Sequence, residues 1–188
     1  MMTIQILNQF RYLMSDLKRW KCASAKDVFY AVFEQGVWAT IFYRLSRALF
    51  LVDIPVVKIL LRLASFFLMK FSEYFLGAAI KPEADIGPGL YIGHTGLIRI
   101  HPKVKAGKNL SIGPGIILGE KGLGEGGAPC LGDHVYVGTG SKILGSVKIG
   151  NNVKIGANAV VVKNIPDGAT AVGVPAKVIR IEGDKKSA

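Results

Sequence analysis

The sequence is poor in cysteine, and its first third is poor in glycine. Only Cys22 and Cys130 occur among the 188 residues, and two cysteines so far apart predict no disulfide framework. All of the 23 glycines except Gly36 lie at Gly77 or later. The N-terminus has no basic segment followed by an apolar run, so no secretory signal peptide is predicted. We therefore expect a cytoplasmic protein in two parts of different character.

The chain has an excess of positive charge but no nucleic-acid-binding signature. Lys and Arg number 24 against 13 Asp and Glu, which gives a formal net charge of +11. The excess is spread over both parts of the chain, so it does not mark a basic tail. An anionic membrane surface or a phosphorylated cofactor would be attracted by it. No RNP-type, zinc-finger or helix-turn-helix pattern is present, and nucleic acid is therefore not expected as a partner.

Residues 1–79 are predicted to form an α-helical region. Apolar residues recur there at intervals of three and four, and one helix is expected to start at Asp27. The segment after Pro55 is largely apolar, with its polar residues on one narrow stripe. Its longest uncharged run, residues 63–69, is much shorter than the ~20 residues of a spanning helix. Two interpretations stay open, namely burial of this helix between subunits or a place in a membrane interface with basic residues toward the headgroups.

Residues 80–188 follow a period of six, which predicts a mainly β protein with a left-handed parallel β-helix of hexapeptide repeats. The aliphatic residues at this spacing include Leu131, Val137, Ile143, Ile149, Ile155 and Val161. Neither an α-helix nor a plain strand has this period. Each aliphatic side chain is expected to point into a prism whose three faces make one coil. The residues that follow them are expected at corners with unusual backbone angles: Gly87, Gly93, Gly113, Gly132, Gly138, Gly150, Gly156, Asn151 and Asn152.

Two insertions interrupt the six-residue period. Ile92 and Ile100 are eight residues apart, and the extra residues lie around His94. A glycine-rich stretch over residues 119–128 lengthens a later interval to thirteen. A loop so rich in glycine is not suited to packing a core and is expected to leave the prism. Excursions from a regular solenoid are where functional sites are usually built.

Several motifs along the chain match one known group of enzymes. They are Gly36-Val37-Trp38, Tyr43-Arg44-Leu45, Tyr91-Ile92-Gly93-His94, Ala157-Asn158-Ala159-Val160-Val161 and Gly173-Val174-Pro175-Ala176-Lys177. With helices first and hexads second, the chain resembles bacterial serine O-acetyltransferases, and more closely their relatives from capsular and exopolysaccharide gene clusters. The resemblance implies transfer of an acetyl group from acetyl-CoA to a hydroxyl by direct attack, in a homotrimer. It also implies that His94 is the general base.

The resemblance implies a binding site for acetyl-CoA in the groove between two prisms. Gly138, Thr139 and Ala157 match the small residues that contact the pantetheine arm. The candidates for the phosphates are Lys163, Lys177 and Arg180, since phosphates favour Lys and Arg partners. Gly119, in the glycine-rich stretch, is a candidate to offer a backbone N–H to the oxyanion.

Three positions depart from the serine acetyltransferase pattern. Gly93 replaces an Asp directly before the catalytic His, Ala128 replaces a second His, and Ala79 replaces the acid that orients the catalytic His. Asp85 or Glu83 is a candidate to take over that orienting role, although both also suit solvated turns. L-Serine is therefore expected to be a poor acceptor and the hydroxyl of a sugar a better one. A lipid-linked saccharide at the inner membrane is one candidate for that sugar. Serine O-acetylation is the alternative, and a catalytically weak scaffold is a second one.

The other histidines and the second cysteine are given no catalytic role. A zinc-dependent carbonic anhydrase shares this fold and needs three converging histidines. The six-residue registry separates His134 from His94 and His101, so no metal is expected. Direct attack needs no nucleophilic side chain, and Cys130 is therefore interpreted as a packing residue.

Overall fold

The computed structural model is a parallel β-helix preceded by α-helices, and it describes residues 2–20, 29, 31–122 and 126–181. Helix α1 spans Met2–Lys18, α2 spans Gln35–Phe50 and α3 spans Lys58–Leu76. The helix start expected at Asp27 lies outside the described residues, as does Cys22. Helix α3 ends at Gly77, whose φ of 63° is a left-handed cap, and the first strand follows immediately.

Short strands form the three faces of the prism. Sheet A contains β1 (Ala78–Ile80), β4 (Ile98–Ile100), β7 (Ile117–Gly119), β10 (Lys142–Leu144) and β13 (Val160–Val161). Sheet B contains β2 (Asp85–Ile86), β5 (Lys105–Ala106), β8 (Cys130–Leu131) and β11 (Lys148–Ile149). Sheet C contains β3 (Tyr91–Ile92), β6 (Ser111–Ile112), β9 (Tyr136–Val137), β12 (Lys154–Ile155), β14 (Ala169–Val172) and β15 (Lys177–Ile181). Neighbouring strands are parallel except β14 and β15, which confirms the predicted β-helix.

The core of the prism consists of the aliphatic residues that the six-residue period identified. The six residues from Leu131 to Val161 at this spacing are all at most 3% exposed. Equivalent residues of successive coils are paired, as Ile112 with Val137 and Val137 with Ile155. Full burial of one such side chain contributes roughly 1.5–3 kcal/mol. The stack of inward aliphatic residues therefore provides the main stabilisation of the prism.

The corners do contain residues with a left-handed φ, but most of these are not the residues that the sequence analysis named. Left-handed φ values occur at Asn152, as predicted, but not at Asn151 or at the glycines that directly follow the aliphatic residues. Most of those glycines are required by close approach of the next coil instead. A Cβ atom on Gly138, for example, would lie 2.8 Å from the carbonyl oxygen of Ile155. The prediction of corner angles at Gly87, Gly93, Gly113, Gly132, Gly138, Gly150 and Gly156 is therefore wrong.

A buried ion pair connects the helices to the prism. Arg44 of α2 donates from Nε to Asp16 Oδ2 of α1 at 2.7 Å, and both side chains are 1% exposed. The guanidinium also donates to the carbonyls of Ile86 at 2.7 Å and Gly87 at 2.6 Å in the prism. This pair holds two helices and the corner after β2, in the first coil, in one hydrogen-bonded unit.

Helix α3 packs its small polar residues inward and turns its apolar residues outward. Ser65, Met69 and Ser72 are its buried residues. Ser65 donates to the carbonyl of Ser46 at 2.7 Å, and Ser72 donates to the carbonyl of Ala78 at 2.9 Å. The outer face of α3 consists of the exposed residues Ile59, Leu60, Leu63, Phe66, Phe67, Phe71, Tyr74 and Phe75. None of the helices in the described part of the chain has the length and apolar character needed to cross a membrane.

Candidate active site

His94 lies in the turn between β3 and β4, where the sequence showed the first insertion, and its side chain is exposed. The N-terminus of α2 supports this turn. Thr95 donates from Oγ1 to Gln35 Oε1 at 2.6 Å. A Cβ atom on Gly36 would overlap the carbonyl oxygen of Ile92, so only glycine permits this contact between helix and strand. The histidine is thus presented to solvent from a turn that a helix holds in place.

A groove of about 290 Å³ lies beside His94. Its lining includes Arg19, Tyr91, Tyr136 and Thr139. Thr139 follows Gly138 in the turn from sheet C to sheet A, and a Cβ atom on Gly138 would lie 2.8 Å from the backbone nitrogen of Ala157. The predicted residues Gly138, Thr139 and Ala157 therefore share one edge of the prism with His94.

Arg19 lines this groove, although the sequence analysis did not identify it. It donates to the carbonyls of Gly89 at 2.7 Å and Leu110 at 3.2 Å, and to Ser111 Oγ at 2.9 Å. Its guanidinium carbon is 5.4 Å from the centre of the Tyr91 ring. Burial lowers the pKa of Arg19, while the nearby Tyr91 and Asp16 oppose this shift. A fixed cation therefore borders the His94 groove, and no signal in the sequence relates this arginine, in the turn after α1, to the distant coils.

The other predicted cofactor ligands lie on other parts of the prism. Gly119 is at the end of β7, where sheet A turns toward sheet B, and it lines a different groove. Lys163 is exposed after β13, the last strand of sheet A. Lys177 and Arg180 are exposed on β15. Within one subunit, the structure does not bring these four residues to the groove of His94.

Neither carboxylate proposed to orient His94 lies beside it. Asp85 is on sheet B, where Oδ1 accepts a hydrogen bond from Arg47 Nη2 at 2.5 Å. Glu83 lines a separate cavity under α2 and α3. Among the residues that the structure describes, none forms a hydrogen bond or ion pair with the imidazole of His94. The interpretation as a solvated turn residue fits Glu83, whereas Asp85 is on a strand and paired with Arg47.

The remaining histidines and Cys130 are at separate positions. His134 has a φ of 58° in a corner of the prism, and the imidazole of His101 lies 3.5 Å from Glu120 Oε1. The described residues include no group of three His, Cys, Asp or Glu side chains that could hold a metal ion. Cys130 is exposed on the outer side of sheet B. Successive side chains of a strand point to opposite faces. Because Leu131 points into the prism, Cys130 points outward, and its prediction as a packing residue is wrong.

Comparison with known proteins identifies the family. The family model described as "Bacterial transferase hexapeptide (six repeats)" matches residues 131–163. The serine acetyltransferase of Helicobacter pylori strain 26695 is 39% identical over 145 residues, which cover 77% of this chain and 81% of that protein. The chain belongs to the serine acetyltransferase family. The serine acetyltransferase of Staphylococcus epidermidis RP62A is 41% identical over 115 residues, and the match spans 54% of its length.

Solved structures of serine acetyltransferases support the same assignment. The enzyme of Neisseria gonorrhoeae is 30% identical with a TM-score of 0.79, covering 96% of this chain and 69% of that one. The Brucella abortus enzyme in complex with coenzyme A is 27% identical with a TM-score of 0.78, covering 94% and 68%. These relatives are serine acetyltransferases, so the expected closer match to capsular and exopolysaccharide enzymes is corrected to this family.

Proposed function

We propose that this protein is an acetyl-CoA-dependent O-acetyltransferase with His94 as its general base. The observation that carries the proposal is an exposed histidine in an irregular turn, beside a groove that also contains Thr139. Membership of the serine acetyltransferase family supports acetyl-CoA as the donor. His94 accepts the proton of the acceptor hydroxyl while the hydroxyl oxygen bonds to the acetyl carbonyl carbon. The carbon–sulfur bond then breaks, and the imidazolium returns the proton to the departing thiolate.

The donor site is proposed to span two subunits of a homotrimer. Gly138, Thr139 and Ala157 lie on the edge with His94, whereas Gly119 lies on another edge of the same prism. A ligand that contacts both sets of residues would have to lie between two prisms. A closed three-fold assembly supplies such a groove at each of its interfaces.

The acceptor has two candidates, and different observations support them. The relatives support L-serine. Gly93, Ala79 and Ala128 favour a sugar hydroxyl, because they lack the acid and imidazole groups of the serine enzymes. Packing does not impose the first of these replacements, since a Cβ atom on Gly93 would meet only the Tyr91 ring, at 3.5 Å. An aspartate at this position is therefore sterically possible.

An acetyl-transfer assay with L-serine and with neutral sugars tests the proposed function. We expect weak thiol release with L-serine, and an increase of about tenfold in kcat/KM for serine in the Gly93→Asp variant. A restored carboxylate would supply a charge-assisted hydrogen bond to the serine ammonium, of roughly 1.5–3 kcal/mol. Turnover of a sugar that Gly93→Asp does not increase would select the second candidate. Absence of acetyl transfer to every hydroxyl acceptor would contradict the proposed function.

The outer face of α3 is proposed to lie against an anionic membrane surface. It is apolar over most of its area, and α3 carries the three cations Lys58, Arg62 and Lys70 against the single acid Glu73. Apolar residues bordered by cations are typical of helices in a membrane interface. We expect the protein to float with phosphatidylglycerol vesicles at low salt, and to lose binding at high salt or in Phe67→Glu. A trimer by light scattering that does not bind vesicles would place this face between subunits instead.

A further inference from the structure

A second groove, of about 330 Å³, lies on the outer face of sheet A at the end of α3. We call it the sheet A groove. Its lining includes Lys70, Glu73, Ala79, Lys81, Arg99 and Ile117. None of its lining residues lines the groove of His94. Within one subunit the sheet A groove is therefore separate from the groove of His94, but it includes Gly119, which the proposed donor site takes from a neighbouring prism.

The sheet A groove has more cationic than anionic side chains. Lys70, Lys81 and Arg99 line it, against the single carboxylate of Glu73. That carboxylate is 2.9 Å from the Lys70 ammonium and 3.7 Å from the Arg99 guanidinium. The hydrogen bond from Lys70 is the main cause that lowers the pKa of Glu73, so this charge is largely neutralised by Lys70. Two positive charges remain in excess.

Arg99 is the cation best placed to bind a ligand. Its side chain is 64% exposed, and its ion pair with Glu73 is long. Arg99 lies on β4 directly between Ala79 of β1 and Ile117 of β7. Ala79 and Ile117 also line the groove, so Arg99 is flanked by an apolar residue on each neighbouring strand. A planar guanidinium in such a place matches the geometry of a carboxylate or phosphate.

We propose that the sheet A groove binds an anionic group, a carboxylate or phosphate, of the acetyl acceptor, with Arg99 as its principal ligand and Lys81 as the second. This inference rests on the proposed acetyltransferase function. It assigns the anion to the acceptor because Gly119, the candidate for the oxyanion of the transfer step, lines the same groove. The candidate ligands for the coenzyme phosphates, Lys163, Lys177 and Arg180, lie near the last strands.

Calorimetric titration of the full chain without acetyl-CoA tests this inference. The probes are inorganic phosphate, D-glucuronate and, as an uncharged analogue, D-glucose. We expect phosphate and glucuronate to bind, and glucose not to bind. Arg99→Gln should weaken the binding of both anions at least tenfold, and Arg99→Lys should weaken it less, because a lysine keeps the charge but loses the planar donor pair.

Lys105→Gln is the matched control, since Lys105 is an exposed cation on sheet B, outside the sheet A groove. Equal weakening by Lys105→Gln and Arg99→Gln would show a nonspecific charge effect and overturn the inference. Competition with coenzyme A identifies the source of the anion. Displacement of phosphate by coenzyme A would assign the groove to the donor and overturn the acceptor assignment. Because binding is measured without turnover, failure of the proposed function would appear separately, in the transfer assay.

Discussion

Replacement of His94 by alanine is expected to lower kcat for acetyl transfer by about 10²–10⁴-fold, the usual contribution of a general base. The imidazole is exposed and packs in no core, so the variant should keep its fold. Its loss leaves the acceptor hydroxyl without a group that takes its proton. Binding of coenzyme A should change little, because Gly138, Thr139 and Ala157 remain in place. Steady-state kinetics and a coenzyme A titration measure the two effects separately.

His134→Asn is the matched control for this experiment. His134 adopts a φ of 58°, and asparagine occupies the same left-handed region at Asn109 and Asn152. Asparagine therefore removes an imidazole without introducing the backbone strain that alanine would. We expect this variant to retain activity within a few-fold. Near-normal turnover by His94→Ala with the true acceptor would show that another group is the base.

Replacement of Arg44 by methionine is expected to destabilise the protein by about 3–5 kcal/mol, the cost of leaving a buried charge without its partner. Of its hydrogen bonds, Asp16 would keep those from the backbone N–H groups of Gly89 and Leu90, each 2.7 Å from Oδ1. The carbonyls of Ile86 and Gly87 would lose their donors as well. The denaturation midpoint of the variant measures the loss.

The ion pair of Lys58 with Asp53 is the control for Arg44. The side chain of Asp53 is 68% exposed and that of Lys58 is 34% exposed, and pairs open to solvent contribute little to stability. Asp53→Asn should leave the denaturation midpoint unchanged. The double variant Asp16→Asn with Arg44→Met should recover part of the lost stability, since it leaves no unpaired buried charge. A midpoint of Arg44→Met equal to that of the wild type would show that the buried pair does not hold the helices to the prism.

The prism could be predicted well from the sequence, because the burial of one aliphatic side chain in each face produces the six-residue period. Each face of a coil has one inward-pointing position, and an aliphatic residue such as Val137 or Ile155 occupies it at every sixth position of the sequence. The position of His94 was also predictable, since two extra residues interrupt a regular period. The corner angles were not, because glycine serves two purposes in this fold. At Gly138 it permits two coils to approach, whereas at Gly140 it provides a φ of 72°.

The arrangement of the helices could not be predicted from periodicity. The pattern of α3 separates a polar stripe from an apolar face but does not say which one packs. The inward orientation follows from hydrogen bonds of Ser65 and Ser72 to particular carbonyls. Arg19 was missed for a similar reason. Its partners, Gly89, Leu110 and Ser111, are 70 to 92 residues away in the chain, and no local pattern reports such a contact.

The reversed direction of β15 affects how the prism behaves toward other copies of itself. A stack of parallel strands ends in unpaired N–H and C=O groups, which another chain can extend. Here β15 runs antiparallel to β14 and occupies the open edge of sheet C. Its outward residues include Lys177 and Arg180, and like charges at an edge oppose strand addition. At the last coil of sheet C, the antiparallel, charged β15 therefore opposes the addition of a strand from another copy.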